Sequence, residues 1–163
     1  MAGEGFVPFA RDGDDAEALW FVGGLVRLLA TGAETDGRYA LSEHTYPGGY
    51  ATPLHRMRDE EQSFYVLDGA CTFAMGERFV SVVPGALVVV PRETPLAFRV
   101  DSPVVRLLVL DTPAGHEGFY RDAGEPARAV ELPPPAELDM PRVLAAAEKH
   151  RVEILGPPPD FPD

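Results

Sequence analysis

Apolar and polar residues fall in short runs along most of the chain, and the runs are too brief for helices. Between Arg38 and Asp111 they cover 38–46, 50–57, 63–67, 71–75, 78–82, 86–90, 96–100 and 104–110. The breaks are Pro47-Gly48-Gly49, Asp68-Gly69, Met75-Gly76, Pro84-Gly85, Pro91 to Pro95 and Asp101 to Pro103. Turn signals at roughly 8–12-residue spacing between β-type runs predict a sandwich or barrel. Asp68-Gly69 is a strong hairpin signal. Upstream, 19–22 and 25–29 flank Gly23-Gly24 and predict two strands or one bent strand. Residues 31–37 are polar and read as a turn.

The pattern changes after Thr112. Residues 116–122 predict a short helix, and Pro133-Pro134-Pro135 stops regular structure. Asp139-Met140-Pro141 predicts a helix start, with Asp139 as N-cap and proline in the first turn. Val143, Leu144 and Ala147 form its expected buried stripe. The tail 154–163, with Pro157-Pro158-Pro159, is expected to be extended. Three segments follow on one domain: 1–35, an N-terminal arm and strands; 36–112, a barrel; and 113–163, a helical segment and proline-rich tail.

Composition narrows the function classes. The 163 residues carry a formal charge of −12, which repels anionic partners and argues against nucleic acid or an acidic membrane surface. With 45% apolar residues the chain is of ordinary globular type. Its one cysteine, Cys71, cannot form an internal disulfide and suits a reducing compartment. The start has no basic-then-apolar signal pattern, and no apolar run reaches membrane-spanning length. The expected location is cytoplasmic.

Two stretches carry a family pattern. The first runs Gly49-Tyr50-Ala51-Thr52-Pro53-Leu54-His55-Arg56-Met57, then Gln62-Ser63-Phe64-Tyr65-Val66-Leu67-Asp68-Gly69. The second is Pro84-Gly85-Ala86 followed by Pro91-Arg92-Glu93-Thr94-Pro95-Leu96-Ala97-Phe98. They resemble the two cupin motifs, and Leu110 to Gly115 and Val152 to Pro158 continue a resemblance to the quercetin 2,3-dioxygenase-like branch. The resemblance implies an all-β fold, the double-stranded β-helix or jelly-roll barrel, with short C-terminal helices. It also implies a homodimer.

In that family two histidines, a glutamate and a later histidine hold a divalent metal. Here only His55 stands at its place. Met57, Gln62 and Leu96 occupy the other three positions. One imidazole, an amide, a thioether and an alkyl chain cannot hold iron, nickel, manganese or zinc. His55 with Met57 offers at most a weak Cu(I) pair. The expectation is therefore a degenerate metal site and no cofactor.

Strand alternation then places the pocket. His55 and Met57 share a face, as do Gln62 and Phe64, and Leu96 and Phe98. With these faces inward, Met57, Phe64, Leu96 and Phe98 make an apolar wall for an uncharged small molecule, and His55 and Gln62 are its polar points; the same groups also suit a plain core. His55 is a candidate acid or base, or an inert relic. Tyr39, Leu41 and Thr45 make the Glu43 face of its strand the more apolar. This points Glu43 inward as a second acid–base candidate and His44 outward, with an ion pair from Glu43 to Arg38 or Arg106 as the competing reading. Asp59, Glu60 and Glu61 read as a solvated acidic turn, and His116 and His150 as surface residues. Cys71 reads as core, and Trp20 as a cover for the barrel mouth or a dimer contact.

The preferred function is metal-independent acid–base chemistry, of isomerase, cyclase or lyase type, on a polyketide- or flavonoid-like molecule in specialised metabolism. The alternatives are a non-catalytic binding cupin and a quercetinase-like metal-dependent dioxygenase.

Overall fold

The computed structural model describes residues 5–163. Twelve strands and two helices follow a short 3-10 turn at Gly13–Asp15. They are β1 (Glu17–Phe21), β2 (Gly24–Ala30), β3 (Ala40–Pro47), β4 (Leu54–Met57), β5 (Glu61–Asp68), β6 (Cys71–Met75), β7 (Arg78–Val82), β8 (Leu87–Val90), β9 (Leu96–Val100), β10 (Val104–Thr112), α1 (Glu117–Ala123), β11 (Glu125–Pro126), α2 (Met140–Lys149) and β12 (Val152–Gly156). One sheet has the order β11-β1-β2-β3-β10-β5-β8, the other β12-β4-β9-β6-β7, with every pairing antiparallel. The architecture is the jelly-roll barrel that the strand spacing and the motifs lead one to expect.

Alternation decides which residues enter the barrel. On β3, Ala40, Ser42, His44 and Tyr46 are buried; on β10, Val105, Leu107, Val109 and Asp111 are. The β5–β6 hairpin turns at Gly69, whose φ of 81° suits glycine alone, and whose missing side chain would lie 2.2 Å from the Val104 carbonyl oxygen. Pro53 leaves the fourth strand shorter than its sequence run: only Leu54–Met57 is strand, preceded by a lone bridge from Ala51 to Arg99.

Two apolar clusters make the interior. One fills the barrel around Phe64, Phe73, Phe98, Leu107 and Val109, with Cys71 fully buried in it. The other lies under the helices and joins Leu19, Phe21, Met57, Phe119, Tyr120, Ala146, Ala147 and Val152. Asp139 does cap α2, its Oδ1 accepting from the Arg142 amide at 3.1 Å. The helix buries Ala146 and Ala147 and half-buries Val143, whereas Leu144 is 49% exposed. The stripe is thus rotated by one small residue, because two alanines let α2 sit close to α1. Among the described residues no helix is long and apolar enough to cross a membrane.

Candidate functional site

Between the two clusters lies a cavity of about 100 Å³. Barrel strands supply Tyr46, Gln62, Phe64, Leu96 and Phe98, and the closing elements supply Phe21, Phe119, Tyr120, Val143, Val152 and Ile154. Its polar groups are His44, His55, His116, Gln62 and the hydroxyls of Thr52, Tyr46, Tyr50 and Tyr120. Four of the expected wall residues line it directly: Gln62, Phe64, Leu96 and Phe98. Met57 does not; it is buried in the cluster under the helices and faces a smaller recess that His55, Glu60, Gln62 and Leu96 also line.

His55 stands half-buried on β4, opposite Leu96 of β9. Its Nδ1 lies 2.8 Å from the Pro53 carbonyl. A carbonyl only accepts, so Nδ1 carries the proton and Nε2 keeps a free lone pair. Burial pushes this imidazole below its ordinary value, and the Pro53 contact pulls it back.

The third strand holds the clearest correction. His44, not Glu43, faces inward, 4% exposed. Its Nε2 is 2.9 Å from Ser42 Oγ, and its Nδ1 is 2.8 Å from Tyr46 Oη. All three are buried on one face of β3, so the polar chain closes on itself and runs in either direction by exchange of tautomer. Burial pushes His44 down to about 3, leaving it neutral. Glu43 faces outward. It pairs with Arg27 of the neighbouring strand at 3.0 Å and with Arg106 at 3.4 Å. The apolar count of the two faces misled, because a satisfied hydrogen-bond chain can be buried and a cross-strand charge pair belongs outside.

Three further acid–base residues occupy places other than those expected. His116, expected on the surface, is 4% exposed, lines the cavity, and packs edge-on against the Tyr120 ring at 4.8 Å. Burial holds it at about 3, and its Nδ1 has no hydrogen-bond partner among the described residues. Glu60, expected in a solvated turn, is 7% exposed. Burial and its neighbours Asp59 and Glu117 push it up to about 7. His150 is half-buried rather than free, its Nε2 2.6 Å from Asp122. Of the acidic turn, Glu61 is half-buried and meets Arg92 at 3.2 Å.

Asp111 and Tyr120 are not among the residues that the sequence marks as site candidates. Asp111 ends β10 directly opposite Gln62 and is fully buried. Its Oδ2 is 3.5 Å from Tyr120 Oη, which also accepts from Gln62 Nε2 at 3.2 Å, and its Oδ1 has no partner among the described residues. Burial pushes this carboxyl up to about 8, so it is mostly protonated at neutral pH. Burial also raises the Tyr46, Tyr50 and Tyr120 phenols. The cavity wall therefore carries hydrogen-bonding groups and no charge.

These donors do not fit a divalent metal. Met57 shares a small recess with His55, Glu60, Gln62 and Leu96 but offers only a thioether, Leu96 offers nothing, and Gln62 gives its amide nitrogen to Tyr120. Among the described residues no three His, Cys, Asp or Glu side chains converge as on an ion.

The Cupin domain family matches residues 42–112, the strands from β3 to β10. A curated relative, quercetin 2,3-dioxygenase of Bacillus subtilis, is 25% identical over 155 residues, 94% of this chain, and the chain spans 46% of that relative's length. Among solved structures, an RmlC-like cupin from Shewanella frigidimarina superposes with a TM-score of 0.59 at 15% identity, over 68% of this chain and 96% of that one. KdgF from Halomonas sp. gives 0.55 at 18% identity, over 71% and 98%. Pac13 of Streptomyces, a nucleoside dehydratase, gives 0.57 at 14% identity, over 77% and 95%. With the matched strands forming the barrel wall and the same fold in these structures, residues 42–112 are a cupin domain and the chain has the cupin fold.

Proposed function

We propose that this cupin binds a compact, uncharged, mostly apolar molecule in the barrel and moves a proton on it without a metal. One observation carries the reading: a free imidazole nitrogen and a hydroxyl backed by a buried carboxylic acid meet the same aromatic cavity. In this reading His55 Nε2 takes a proton from carbon or hydroxyl. Tyr120 Oη gives one to a carbonyl or leaving oxygen and is refilled from Asp111. His44 and His116 are too weakly basic to act as the base at neutral pH and serve as hydrogen-bond partners. Isomerisation and elimination of water are the reactions such a pair supports. That Pac13 is a nucleoside dehydratase is in keeping with this class on this fold.

Cavity size bears on the substrate. A cavity of about 150 Å³ accepts a benzene-sized ligand. The barrel cavity, at about 100 Å³, is smaller than that, so it takes at most one ring of a polyketide- or flavonoid-like molecule, seated by small shifts of the lining side chains, with anything larger reaching outside. The test is deuterium exchange, followed by proton NMR in D2O, on cyclic ketones and hydroxylated rings. Exchange by the wild type and its loss in His55→Ala is the expected result. Binding without exchange in the wild type would make the chain a silent binding cupin instead.

The curated match favours a second reading, dioxygenation of quercetin. Oxygen uptake with quercetin and added iron, nickel, manganese or copper would establish it, and the donor set predicts none.

Two further points belong to the proposal. A homodimer is supported by the outer face at edge strand β8, where Tyr65, Leu87 and Val89 expose 43%, 62% and 55% of their surface. Light scattering of the wild type and Leu87→Lys tests it, the dimer dissociating in the variant. A reducing, cytoplasmic setting suits a lone thiol buried in the barrel core.

A further inference from the structure

A second recess lies outside the barrel. An open groove of about 710 Å³ runs between the β1–β2 turn, the Pro47–Tyr50 turn and the proline-rich segment 132–139. That volume is in the range of small-molecule sites. Groove and barrel cavity share three lining residues, Val22, Tyr50 and Val143, which therefore form the partition between them. Val22 has a φ of 47°. A β-branched residue in the left-handed region is a genuine outlier, and such strain gathers at ligand clamps and switch regions.

The far wall of the groove is pinned at both ends. Trp20 Nε1 donates to the Glu131 carbonyl at 2.9 Å, and the Arg128 guanidinium lies 5.1 Å over the indole ring. At the other end Asp139 caps α2, and Arg142 Nε donates to the Asp122 carbonyl at 2.8 Å while Nη2 donates to the Gly124 carbonyl. The groove is thus preformed. Its charged lining is Glu125, Glu137 and Asp139 against Arg142, whose guanidinium is already spent on carbonyls. Such a lining disfavours an anionic occupant.

We propose that this groove is the outer half of the binding site. It holds the uncharged, flexible tail of a molecule whose ring sits in the barrel, with Val22 and Val143 as the gate between the halves. The proposal rests on the reading of the barrel as a small-molecule site, and names the second part of that molecule.

Calorimetry on the full chain with phenol and para-propyl-, para-pentyl- and para-heptylphenol tests it. Phenol alone reports on the barrel cavity. Each methylene that leaves water in the groove strengthens binding by about fourfold at most, so the heptyl compound binds far more tightly than phenol. The variant Leu138→Asp, on the groove wall, lowers the heptylphenol-to-phenol affinity ratio at least tenfold. A carboxylate at the end of the heptyl tail weakens binding by a similar factor. A flat series with phenol bound, or a ratio untouched by Leu138→Asp, overturns the groove and leaves the barrel reading standing. Failure of phenol itself to bind overturns both.

Discussion

Asp111→Asn separates what the buried carboxyl does for function from what it does to the fold. The Asp111 carboxyl lies at about 8 in the folded chain, against an ordinary 3.8, because it is fully buried. Between those values the folded chain holds a proton that the unfolded chain has lost. The contribution of Asp111 to stability therefore falls as pH rises from about 4 to about 8, and is flat outside that window. Each pH unit costs about 1.4 kcal/mol, so some 4 kcal/mol has accumulated by about pH 7. Asparagine is neutral in both states and keeps a similar shape. The stability difference between variant and wild type therefore grows by about 1.4 kcal/mol per unit across the window. At neutral pH this would raise the melting temperature of a chain this size by about 10 °C. The same substitution removes the proton behind Tyr120 and lowers exchange activity, as in other cases where a strained site trades stability for function. Urea unfolding followed by Trp20 fluorescence at several pH values measures the slope. A constant offset, such as a poorly placed amide would produce, leaves that slope unchanged. A difference independent of pH would refute the burial argument.

Other outcomes follow from the same geometry. The wild type itself should weaken between about pH 6.5 and 8, where the folded chain still holds protons on Asp111 and, up to about 7, on Glu60 that the unfolded chain has lost; below that range His44 and His116, held at about 3, stay neutral in the fold and charge in the unfolded chain, which offsets the two carboxyls; thermal melts across that range check it. Glu43→Gln should cost about 1–3 kcal/mol in urea unfolding and leave ligand binding unchanged by calorimetry, since its carboxylate accepts from Arg27 in a largely buried cross-strand pair outside the barrel. Gly24→Ala should cost about 1–3 kcal/mol in urea unfolding, because its methyl would lie 2.3 Å from the Tyr46 ring and displace it from His44. Dialysis against each divalent metal, followed by mass spectrometry, should leave far less than one metal per chain.

The barrel was legible because its information is local. Turn residues and alternation fixed the limits of β6, β7 and β9 to the residue and left errors of only a few residues elsewhere. The motif pattern placed His55, Gln62, Phe64, Leu96 and Phe98 around the cavity. The site was only half legible, because a residue's burial depends on what packs over it. His116 looks exposed on a short helix, yet α1 closes the barrel and turns it inward with Tyr120. Glu60 looks solvated in an acidic turn, yet it lies close enough to Glu117 for their charges to couple. Signals for the missed residues were present: Ser42, His44 and Tyr46 recur with period two, and Asp111 continues the buried series Val105, Leu107, Val109. Hydrophobicity alone gave that polar face to the solvent, whereas its hydrogen bonds let it be buried.

Among the described residues, donors that do not fit a metal and buried groups held uncharged are two sides of one electrostatic condition. A bound dication is the largest charge in a site and holds nearby carboxylates ionised. In this barrel the glutamate of the resembled motif is Gln62, and the remaining carboxyl opposite it, Asp111, is held neutral by the apolar wall. The same wall holds His44, His55 and His116 neutral and the tyrosine phenols protonated. Low dielectric drives every ionisable group here to its uncharged form. A proton taken by His55 alone would leave an imidazolium and a carbanion, each poorly solvated in this cavity. A proton given by Tyr120 in the same step cancels the substrate's charge as it forms, and Asp111 spreads the negative charge left on the hydroxyl. In the proposed reaction the barrel would therefore favour coupled removal and delivery of protons across one small molecule over a long-lived charged intermediate.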